Sequence, residues 1–204
     1  MKASIILFMM ILLALLVMAS GCAADPPATP APPAPADESP VTVDWNPDGI
    51  IKPGEYRYRQ ALSDKMELHW TTTDDMIRIG LAGRAAGWIG IGLGTPRMMS
   101  GVDYIAGYVD GENGVVNDLF SENPRCPIRM DTAIGGTDDI LRYGGRQADD
   151  VTIIEFERLF ASGDEYDYEI RAGDPIAIIW ALSESNSMTV PHRERGSTTL
   201  ILRR

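Results

Sequence analysis

Short runs in which apolar and polar residues strictly alternate, broken by paired turn residues, set the limits on what this chain can fold into. Met66, Leu68 and Trp70 alternate with Glu67, His69 and Thr71, and Ile77, Ile79 and Leu81 repeat the pattern beyond Asp74-Asp75. A period of two marks a strand with one buried face. Further short apolar runs lie at residues 102–109, 115–120, 140–142, 151–156, 166–170, 176–182 and 198–202. Asp110-Gly111, Gly135-Gly136, Gly144-Gly145 and Ser162-Gly163-Asp164 read as the turns between them, and residues 48–56 as a leading strand and turn. With no amphipathic helical stretch, the expectation is an all-β, antiparallel β-sandwich of roughly ten strands.

One strand is peculiar. In Gly87-Trp88-Ile89-Gly90-Ile91-Gly92-Leu93-Gly94, the large aliphatic residues share one face, and Trp88, Gly90 and Gly92 share the other. Bare glycines weaken a strand unless something approaches its backbone closely. A flat cofactor, a second sheet, a barrel corner or a bulge each meets that need, and the sequence leaves them open.

At 204 residues and 45% hydrophobic, the chain has material for one domain with a true core. Its 18 basic and 29 acidic residues give a net charge of -11, which repels a phosphate backbone, so no nucleic-acid partner is expected. Lys2 precedes an apolar run over residues 5–18 that is too short for a comfortable membrane span; residues 1–21 read as a signal peptide. The run ends in Ala19-Ser20-Gly21-Cys22, which resembles the lipobox of prokaryotic lipoproteins, where Cys22 carries the lipid. An ordinary signal peptide with a chance cysteine, or an uncleaved anchor, is the other reading; in each case the remainder is exported. Residues 22–40 form a Pro/Ala-rich linker, a spacer in extended geometry, and residues 41–204 the folded domain. With Cys22 lipidated, Cys126 has no intrachain partner and is either buried and inert or paired between molecules. There is no Cys-x-x-Cys-His, so covalent c-type haem attachment is excluded.

Six patterns occur in a fixed order: Asp48-Gly49-Ile50, the Gly87 to Gly92 strand, Met99-x-Gly-x-Asp103, Arg158-Leu159-x3-Gly163-Asp164, Ile179-Trp180-Ala181 and His192-x2-Arg195-Gly196. Together they resemble the DOMON domain family, which is similar to the amino-terminal domain of dopamine beta-monooxygenase and the cytochrome domain of cellobiose dehydrogenase. The resemblance implies an immunoglobulin-like β-sandwich and, in the cytochrome members, one non-covalent haem b held between a methionine and a histidine. Carried over by position, the pair is Met99 and His192. Met98 is the rival sulfur, since neighbours on an extended chain point to opposite faces; the family register selects Met99. Arg193 and Arg195 would pair with haem propionates or stand as solvated charges. Trp88 and Trp180 would lie against the macrocycle or fill the core, and Met188 would line the pocket or pack under a loop. His69 falls on the polar side of its strand and is taken as a bystander. Asp103 would cap a turn or bind a cation.

An imidazole and a thioether give iron two unequal axial ligands, with sulfur favouring the reduced metal. Filling both positions leaves no open site, and no Ser/His/Asp or Cys/His set is present, so the expectation is no enzyme activity. The reading is an exported, lipid-anchored b-type cytochrome on the outer face of the cell membrane, carrying single electrons to or from an unknown redox partner protein. The alternatives are a haem-free module of the same fold binding a carbohydrate or other small ligand, and an adhesive or structural domain.

Overall fold

The computed structural model describes residues 37–94, 101–122 and 127–203. All belong to one compact unit, Pro33–Arg204. Among the described residues twelve strands form two six-stranded sheets, every pairing antiparallel, so the expected sandwich is what the chain adopts. The first sheet has the order β1 (Asp37–Glu38), β2 (Tyr58–Ala61), β3 (Met66–Thr72), β4 (Met76–Gly83), β10 (Val151–Leu159), β9 (Ile140–Ala148). The second runs β12 (Glu194–Ile201), β11 (Pro175–Leu182), β5 (Ile89–Leu93), β6 (Val102–Asp110), β7 (Asn113–Ser121), β8 (Arg129–Met130). A single 3₁₀ turn, Asp131–Ala133, follows β8.

The alternation seen in sequence sets the core. Met66, Leu68 and Trp70 of β3 and Ile77, Ile79 and Leu81 of β4 meet Ile89, Ile91 and Leu93 of β5 and Ile176, Ile178 and Leu182 of β11 between the sheets. Each such side chain, taken out of water, stabilises the fold by about 1.5–3 kcal/mol.

Three elements differ from the sequence expectation. Residues 48–56 form no strand; they lie between β1 and β2 in the chain, over the outer face of the first sheet. There Glu155 of β10, fully buried, accepts from the Gly49 N–H at 2.7 Å and from the Tyr56 hydroxyl at 2.8 Å, and that hydroxyl accepts from the Trp45 indole at 2.8 Å. A covalently linked lid with its own polar network takes the place of a strand. Residues 166–170 are irregular too, because their backbone is spent elsewhere: Tyr168 donates to Asp103 at 2.9 Å and Ile170 to the Phe160 carbonyl at 2.7 Å.

Gly144-Gly145 is not a turn but the middle of β9. The hairpin closes instead at Asp149 and Asp150, with φ of 52° and 60°, the left-handed pair that a two-residue turn requires and that aspartate tolerates. The glycines are there because the chain passes close: a Cβ on Gly144 would collide with the Pro47 carbonyl oxygen. Gly144→Val is therefore expected to lift the 45–56 lid and cost about 1–3 kcal/mol, read as a lower urea midpoint.

Candidate functional site

The two faces of the second sheet differ in kind. Ile89, Ile91, Ile105, Ile178, Trp180 and Leu182 face the core. On the outer face a separate apolar cluster forms from Val102, Tyr104, Ala106 and Leu119, with Ile128, Ile179 and Met188 packed against it. Small residues occupy its centre: Gly90 pairs with Ala106 and Ala181, and Gly92 with Tyr104 and Ile179. A Cβ on Gly92 would lie 2.8 Å from the Tyr104 ring and 2.9 Å from Ile179, so these neighbours lean across the bare backbone.

An arch over residues 183–193 folds back on the end of this face nearest Ile89. The Trp88 carbonyl accepts from the Ser183 N–H at 2.8 Å, and its own N–H donates to the Ser185 carbonyl at 3.1 Å. A Cβ on Gly87 would collide with the Ser185 backbone, which explains the glycine. The Trp88 indole donates to the Val190 carbonyl at 3.3 Å, and the Arg193 N–H to the Leu182 carbonyl at 2.8 Å. Held between these ties, His192 is half-buried with its Nε2 3.5 Å from Nη1 of Arg195. Arg195 stands opposite Ala181, on the outer-face side.

The structure thus brings Trp88, His192 and Arg195 together. Arg193 is turned away, its guanidinium paired with Glu184, whose carboxylate also accepts from the Ala86 N–H. Trp180 points into the core, its indole lying over Gly196 on the neighbouring strand. Met98 and Met99, like Cys22 and Cys126, lie outside the described residues. The segment carrying both methionines leaves the sheet after Leu93, which pairs with Asp103, whereas the His192 arch sits by Ile89, which pairs with Leu182. Leu93 and Ile89 are the two ends of β5. His69 is remote from it, on β3 beside Glu67 at 2.8 Å and the Tyr56 ring.

A second polar group escaped sequence reasoning. Arg158 of β10 is in phase with Ile154 and Phe156, faces inward opposite Ile77, and is 0% exposed. Its Nη1 donates at 2.7 Å to Oδ2 of Asp103, on β6 of the other sheet, which also accepts from Tyr168 N–H. Two of the six sequence patterns therefore meet as one ion pair through the interior of the sandwich. The signal was in the strand phase: Asp103 shares the face of Ile105 and Arg158 that of Phe156, so both are charges at core positions.

Comparison with known proteins follows from this architecture. The DOMON domain family matches residues 62–183. Among solved structures, the crystal structure of the cytochrome b domain of pyranose dehydrogenase from Coprinopsis cinerea is similar over 66% of this chain and 75% of that one, at 17% sequence identity and a TM-score of 0.49. The cytochrome domain of cellobiose dehydrogenase from Myriococcum thermophilum is similar over 71% and 82%, at 11% identity and a TM-score of 0.48. No curated protein matches the chain.

Proposed function

Because the chain belongs to the DOMON domain family, the match covering residues 62–183, we propose that it is an exported, membrane-tethered b-type cytochrome passing single electrons between proteins at the cell surface. The observation that supports this is the gathering of Trp88, His192 and Arg195 at one end of an apolar outer face whose central positions are Gly90, Gly92, Ala106 and Ala181.

These residues fit a haem b. His192 offers an imidazole whose ring is only half covered, so it is not a purely buried core histidine. Trp88 holds the arch that carries His192, through the bond to Val190. Arg195 provides a guanidinium at the rim, the geometry that suits a carboxylate. Met99 would supply a thioether ligand. Bound there, haem would contribute a one-electron couple, with sulfur ligation favouring the reduced iron. The apolar cluster of Val102, Tyr104, Ala106 and Leu119 keeps water from the floor of the site. Cys22 would tether the domain through a lipid, with residues 22–40 as the stalk.

Purified full-length protein supplied with haem is expected to give a sharp Soret band and a b-type pyridine haemochrome, with a reversible one-electron titration. A colourless product after reconstitution would sink the reading. Calorimetry against oligosaccharides would then test the haem-free binding module.

A further inference from the structure

Around the buried Arg158–Asp103 pair stand more carboxylates than one guanidinium can balance. Arg158 also pairs through Nη2 with Asp167 at 3.1 Å, and both side chains are nearly or wholly inaccessible. Asp118 of β7 shares the inward face with Val116 and is 3% exposed; Asp131 of the 3₁₀ turn is 1% exposed. Four carboxylates against one guanidinium sum to -3 when ionised. Buried charge of one sign is expensive unless something pairs with it.

The arginine does not take up the oxygens on offer. Oδ1 of Asp103, Oδ1 of Asp118 and both carboxylate oxygens of Asp131 have no hydrogen-bond partner among the described residues. Buried polar atoms without a partner are rare and each calls for an explanation. Asp131 is the telling one, a whole carboxylate enclosed with nothing bound to it, near enough to Asp103 and Asp167 to feel their charge. The ligand oxygens of Asp103, Asp118 and Asp167 all lie within 4.8 Å of one another. Oxygens bound to calcium at about 2.3–2.6 Å can be at most about 5 Å apart, so these three fit one coordination sphere.

We propose that Asp103, Asp118 and Asp167, with Asp131 beside them, bind a hard divalent cation, calcium, in the interior of the sandwich. The all-oxygen donor set excludes a preference for zinc or copper, and the irregular arrangement suits calcium better than the strict octahedron of magnesium. The ion would tie β6 and β7 to the 3₁₀ turn and to the loop that follows β10. Asp103 is the second residue of β6, so the ion would also fix the point at which the chain returns from residues 95–100.

Without the cation, protons do its work. Burial, aided by Asp167 and Asp103, raises Asp118 to about 8. Burial with Asp103 and Asp167 raises Asp131 to about 7, and burial raises Asp167 to about 6 against the opposing pull of Arg158. Asp139 and Asp164 are the other charges facing the group. The folded protein then holds protons that the unfolded chain has released, so stability of the metal-free form falls as pH rises from about 4 toward 8. Calcium would flatten that slope.

The test uses the full chain, stripped with EDTA and titrated with CaCl2 at about pH 7.5. Calorimetry is expected to give one site per chain, and thermal unfolding to move up by several degrees in about 1 mM CaCl2, with MgCl2 less effective. Asp118→Asn is expected to unfold no earlier than wild type in EDTA, yet to need roughly tenfold or more calcium for the same shift. Wild-type protein that takes up no calcium and unfolds at one temperature in EDTA and CaCl2 overturns the proposal. So does Asp118→Asn with an unaltered calcium response. Neither readout involves haem, so the outcome is independent of the electron-carrier reading.

Discussion

Replacing Arg158 by methionine is expected to lower the unfolding free energy by about 3–5 kcal/mol at neutral pH in EDTA, the usual consequence of removing one partner of a buried ion pair. Methionine is close in length and apolar, so lost packing is a minor part. What remains is Asp103 and Asp167 facing each other with no cation, beside Asp118 and Asp131. The signature is the pH dependence. Protonating these carboxylates relieves their repulsion, and protonation costs less the closer the solution is to their ordinary range. Urea denaturation is therefore expected to show a clearly smaller loss at about pH 5 than at about pH 7.5. An equal loss at both would mean that Arg158 matters only for the volume it fills. The pair is also a pin between sheets, since Arg158 belongs to β10 of one and Asp103 to β6 of the other.

The second large effect concerns the outer face. His192→Ala is expected to abolish haem retention, read as loss of the Soret band after gel filtration, with the far-ultraviolet circular dichroism unchanged. The fold survives because His192 is half-buried and, among the described residues, its ring makes a long polar contact with Arg195, so truncation stays within the small cost of a surface change, about 0.5 kcal/mol. Met99→His would replace a thioether with a stronger nitrogen donor to the proposed haem and is expected to lower the potential by on the order of 0.1 V. If Met98→His does this and Met99→His does not, the ligand register is displaced by one residue. His69→Ala is the control, being on the other sheet, and leaves the spectrum as it was. A His192→Ala protein that loads haem fully with an unaltered spectrum removes the histidine from the site.

Much of the scaffold was legible because its determinants are local. The alternation in β3 and β4 and the inward trio Ile89, Ile91 and Leu93 needed only a period of two. The parts that were not legible depend on partners distant in sequence. Gly144-Gly145 looks like a turn until Pro47, nearly a hundred positions earlier, is seen to cross it. Residues 166–170 have strand composition, but Tyr168 gives its N–H to a carboxylate on β6 instead of to a ladder. At the site, the family resemblance pointed to Trp88, His192 and Arg195, and in the fold the Trp88 indole reaches Val190, two residues before His192, whose Nε2 lies 3.5 Å from Arg195. The resemblance could not separate Arg193, which Glu184 captures, from Arg195, because both guanidinia are exposed and two residues apart. Trp180 shows the same limit: its phase along β11 matches Ile178 and Leu182, so the inward reading was present in the alternation, competing with its motif.

Between the 183–193 arch and the return at Val102, β5 spans about 13 Å, five residues at the usual rise. The interior depends on the strand; the proposed chemistry depends on the two connections at its ends. Insertion, deletion or exchange in either connection is expected to alter the proposed haem site while the hydrophobic interior goes on folding as before.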